Sequence, residues 1–102
     1  MNRFAVITLL GLIMPASLAA AQDAALIAAY KAGVAGAKCN LGLDSDKSSQ
    51  LGDAVQRAEQ RSGLAQGDLD ALWSKTEAEA DADNAAFCAD AAALVDKAIA
   101  AK

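Results

Sequence analysis

The chain has 102 residues, enough for one domain, with nine basic and thirteen acidic side chains and no histidine. A formal charge of −4 at pH 7 argues against nucleic acid or an anionic lipid surface as a partner, since both would repel it. Without histidine the chain cannot build a Cys/His zinc site or a Cys–His nucleophile, and it lacks the usual acid–base group of neutral pH.

The first segment reads as a leader. Met1-Asn2-Arg3 is a short positive start, and the run from Phe4 to Met14 is apolar apart from Thr8 and Gly11. Pro15 and Ser17 break that run, and Ala19-Ala20-Ala21 puts small residues where a signal peptidase needs them. Residues 1–21 are therefore expected to be a signal peptide, cut between Ala21 and Gln22. The run is too short to span a bilayer, which takes roughly 20 apolar residues, and no second run of that length occurs downstream. The expectation is a periplasmic or secreted protein with no stable membrane insertion after cleavage, and a single helical domain over residues 22–102. Loss of Arg3 would leave eight basic side chains against thirteen acidic ones. The nearest thing to a basic patch is Arg57 and Arg61, one helical turn apart.

Alanine dominates the chain beyond the leader, and alanine favours helix because it has no side-chain rotamer entropy to lose. The first helix is expected over about 23–38, with Leu26, Ile27, Tyr30 and Val34 making one apolar stripe. Gly33 and Gly36 suit either a loosening helix end or a close approach by another element, and the loosening end is the favoured reading. Cys39 comes next, then a loop over Asn40–Asp46 built from turn and cap residues, with Leu41 and Leu43 folding inward.

A second helix is expected from about Lys47 to Ser62, with Leu51, Val55 and Ala58 inward and Gly63 as its left-handed stop. The third starts near Gln66, with Leu64 and Leu69 placed as a hydrophobic staple around Ala65. Leu69, Leu72, Trp73 and Thr76 face its core side. Trp73 and Tyr30 lie on apolar stripes, so packing is favoured over an exposed recognition patch. Acids crowd the end of this helix, at Glu77, Glu79, Asp81 and Asp83. That is unfavourable at a helix C-terminus. The helix is expected either to end early or to run on into the next. A last helix is expected over Asn84–Ala101, with Phe87, Cys88, Ala91, Val95, Ala98 and Ile99 inward. The fold class is all-α, a small bundle of three to four helices.

Two cysteines in an exported chain allow one intramolecular pairing, Cys39 with Cys88. A disulfide closing so long a loop suits a domain whose apolar core is thin. No Cys-x-x-Cys redox motif is present. Asp44-x-Asp46-x-Ser48 resembles the opening of an EF-hand loop, but Ser49 and Val55 stand where glycine and a bidentate glutamate are needed, so a cap for the second helix is expected instead. The acidic run reads as a solvated face. No catalytic, metal or cofactor residues are expected. The chain reads as a non-enzymatic protein-interaction or binding module.

In outline the chain resembles the small acid-activated periplasmic chaperones of the HdeA type, which are also exported, short, all-helical and joined by one disulfide across a long loop. Cys39 and Cys88 carry the resemblance. Trp73 lies between the two cysteines, whereas the tryptophan of that family lies just before the first, and no functional residue carries over. The resemblance implies an alternative function: low pH would protonate the carboxylates and open a thin core, while the disulfide limits expansion.

Overall fold

A computed structural model describes residues 24–101. The leader and its Ala21/Gln22 junction lie outside the described residues. Five helices account for nearly all of this span, and no strand occurs among the described residues. We number them α1 (24–38), α2 (Ser45–Ser62), α3 (Gln66–Ala82), α4 (Asn84–Cys88) and α5 (Ala91–Ala100).

The bundle is organised around α1. Its Leu26, Tyr30 and Val34 are buried, as the stripe predicts, and so are Ala29, Ala32 and Ala35. Those alanines lie well around the helix from the stripe, so α1 is covered from more than one side. Two clusters result. In one, Leu26 and Tyr30 meet Leu69, with Val55, Ala58, Leu64, Leu72 and Trp73 around them. In the other, Ala32 meets Leu51 and Val95, with Leu41, Leu43, Leu94, Ala98 and Ile99 around them. The first joins α1 to α2 and α3, and the second joins α1 to α2 and α5. Leu41 and Leu43 fold inward as expected, each half-buried.

The local devices are those of the sequence. Asp44 caps α2, its carboxylate accepting from the Lys47 amide at 2.7 Å, so α2 starts two residues before the expected Lys47. Gly63 ends α2 at φ 69°, a left-handed turn that glycine adopts without strain. Leu64 and Leu69 share one cluster across the uncapped start of α3, which is the staple geometry.

The sequence reading needs correction at three places. First, α3 neither stops before the acidic run nor continues into the next helix. It holds helical geometry to Ala82 and breaks at Asp83, whose carboxylate caps α4 by accepting from the Ala86 amide at 3.2 Å. The run is tolerated because Thr76 and Ala80 carry the buried face while the acids flank it, and Asp81 pairs with Lys38 at 2.8 Å. Second, the expected last helix is two helices, interrupted at Ala89-Asp90. The interruption lets Cys88 face the end of α1 while Val95 and Ile99 reach the α1–α2 interface. Third, Gly33 and Gly36 do not loosen the end of α1. A β-carbon on Gly36 would sit 2.7 Å from a methyl of buried Leu51, and one on Gly33 would sit 3.1 Å from the Trp73 ring. The glycines admit neighbouring side chains.

Candidate binding groove

The two ends of α1 differ in chemistry. At its C-terminal end, Cys39 and Cys88 meet with sulfurs 2.02 Å apart and α-carbons 5.5 Å apart, within the range a disulfide spans. Asn40 takes a left-handed φ of 53° just after Cys39, a conformation asparagine tolerates, and turns the chain toward α2. Lys38, one residue before Cys39, pairs with Asp81. That hydrogen bond holds the Lys38 ammonium above its ordinary range. A second ion pair, Lys47 with Asp96 at 2.8 Å, ties α2 to α5 and raises Lys47 in the same way. Both pairs are at the surface, where solvent screens them, so neither contributes much to stability.

Midway along α1, buried Tyr30 donates a hydrogen bond to Glu59 of α2 at 2.5 Å. Its ring meets Trp73 edge-on, with centroids 5.0 Å apart. Burial, then the bond to Glu59, pushes the phenol above its ordinary range. Tyr30 therefore packs as the stripe predicts. Trp73 is half-buried against it, and Phe87, expected inward, is half-buried outside both clusters.

At the N-terminal end of α1 the helices part. A groove of about 480 Å³ opens there between α1, α2 and α5. Ala25, Ala28 and Ala29 of α1 form one side, and Ala54 and Ala58 of α2 another. Leu94, Ala98 and Ala101 line the third side, on or beside α5. Small side chains at three- and four-residue spacing leave the space open because no branch reaches across it. Among the described residues, Arg57, Arg61 and Lys97 are the charged residues of its lining, with no carboxylate side chain beside them in that set. Arg57 donates to the Ala101 carbonyl at 3.1 Å, bridging α2 to the end of α5.

The remaining expectations fall elsewhere. Asp44 is the α2 cap, and Asp83 and Asp81 are a cap and an ion-pair partner. Among the described residues no three His, Cys, Asp or Glu side chains gather as a metal-binding group, and no helix is long and apolar enough to cross a membrane. The sequence reading passed over the groove itself. Its signal was present in Ala25/Ala28/Ala29, Ala54/Ala58 and Ala98/Ala101, small residues at helical spacing flanked by the Arg57–Arg61 pair.

No family model matches the chain, and no curated protein or solved structure shows significant similarity to it. The molecule is thus defined by its own geometry, an all-α, disulfide-joined domain with an apolar groove at the end opposite the disulfide.

Proposed function

We propose that this is an exported, non-enzymatic binding module, acting in the periplasm or outside the cell, whose groove receives an apolar guest. The groove carries the reading. Ligand sites are typically concave, mostly apolar and about 300–1,000 Å³, with a few polar groups to orient the guest. A 480 Å³ alanine-lined cleft with three cations meets that description. The lack of histidine for neutral-pH acid–base work supports binding over catalysis.

A neutral solvatochromic dye such as Nile red tests the reading without involving charge. The form beginning at Gln22 is expected to bind one dye per chain with a blue-shifted emission. Ala28→Phe, at an exposed groove position, is expected to remove that binding, whereas Ala71→Phe, exposed on α3 outside the groove, is expected to leave it intact. Equal dye binding by all three proteins, or none by the parent, would end the groove reading. Export is checked separately by the mass of the protein recovered outside the cytoplasm. A chain still carrying residues 1–21 would remove the leader from the argument.

A further inference from the structure

We infer that the guest is an anionic amphiphile with a single aliphatic tail, of the long-chain carboxylate class. This rests on the groove being a binding site, and it adds the identity of the ligand. Three observations point to it.

The first is charge. The chain carries more acids than bases, yet among the described residues the groove lining has three cations and no carboxylate side chain. The ion pairs among the described residues are Lys38–Asp81 and Lys47–Asp96, so none of the three groove cations is neutralised within that set. The ends of α2 and α5 bring partial negative charge of about half a unit each, which three full positive charges outweigh.

The second is the placement of the donors. Arg57 and Arg61 lie four residues apart on one face of α2, and Lys97 of α5 lines the same groove. Arg57 uses one nitrogen on the Ala101 carbonyl, and a guanidinium has five N–H donors in a planar fork. The remaining donors, with those of Arg61 and Lys97, suit a carboxylate, which guanidinium binds in bidentate fashion.

The third is size. One turn of an α-helix with its side chains, about 10–12 Å across and 5.4 Å long, fills roughly 500 Å³. The groove would seat about a single turn of a partner helix, too little to recognise one. It matches one flexible hydrocarbon tail, which a wall of methyl groups can follow without polar mismatch.

The test is displacement of Nile red from the form beginning at Gln22, using monomeric ligands of one chain length that differ only at the head. A carboxylate is expected to displace the dye at least about tenfold more effectively than the alcohol, the margin of a charge-assisted hydrogen bond. An alkylammonium is expected to be weaker than the alcohol. Each methylene removed from the carboxylate is expected to weaken it by up to about fourfold. Arg61→Gln with Lys97→Gln is expected to erase the preference for carboxylate while Nile red still binds. Equal competition by carboxylate and alcohol, or displacement by an acidic amphipathic peptide at lower concentration than by the carboxylate, overturns the inference and leaves the groove reading standing. Failure of the parent protein to bind the dye or any of these ligands overturns both.

Discussion

At the scale of single residues, glycine is informative because its effect has opposite sign at two positions. Gly52 lies in the middle of α2 with nothing within 4 Å of a β-carbon placed on it. Gly52→Ala is therefore expected to stabilise the fold by about 0.5–1 kcal/mol, the conformational entropy saved in a helix interior. At Gly36 the new methyl would press on buried Leu51, and Gly36→Ala is expected to cost about 1–3 kcal/mol as that side chain is forced to shift. Urea denaturation of the two variants checks the signs. Tyr30 sets a pH dependence. Its folded pKa stands above the ordinary 10.0, so its contribution is complete below that value and is lost as pH rises beyond it. Lys38 and Lys47 are also raised, above 10.5, and act in the same direction over the same alkaline window. Tyr30→Phe should cost about 1 kcal/mol near neutrality through the lost bond to Glu59, and should make the decline above pH 10 shallower. An unchanged slope between pH 9 and 11 would remove the phenol from the alkaline transition.

At the scale of elements, the short helix α4 acts as a bracket. It is held at its start by the Asp83 cap and at its end by Cys88. A five-residue helix does not persist in water without such anchors. The disulfide spans 49 residues of sequence, and the chain-entropy model values such a closure at about 4 kcal/mol. Replacing both cysteines by serine is expected to lower the thermal midpoint by at least about 15 °C, given 4–8 °C per kcal/mol for a domain of this size. Scanning calorimetry measures it, and a drop of only a few degrees would show that helix packing alone holds α4 in place. The acidic run at the end of α3 is explained at the same scale. Its burden is relieved by neighbours on other helices, which local charge counting does not see.

At the scale of the whole molecule, both interhelix ion pairs and both aspartate caps depend on ionised carboxylates. Protonating the carboxylates in strong acid would leave eight positive side chains on the form beginning at Gln22, whose core is small. The acid-chaperone alternative is tested here. With the disulfide intact, it requires that the near-UV signal of Tyr30 and Trp73 collapse by pH 2–3 while far-UV helicity remains. It also requires hydrophobic dye binding to rise above the one-site level expected at neutral pH. A near-UV spectrum that survives acid, with no added dye binding, ends that alternative and leaves the groove-binding proposal untouched.

The sequence by itself determined where most helices begin and which residues cap them, because capping, staples and apolar periodicity are local. Asp44, Gly63 and the Leu64–Leu69 staple were all legible. It also determined the Cys39–Cys88 pairing, because only two cysteines exist to pair. The tertiary structure decided the rest. It decided that α1 is central, because alanines read as helix formers rather than as a second packing face, and it broke the last helix at Ala89-Asp90 so that Cys88 and Val95 could serve different neighbours. It also created the groove, since the gap among alanines on three helices is a property of their separation in space, and no pattern along one helix encodes that distance.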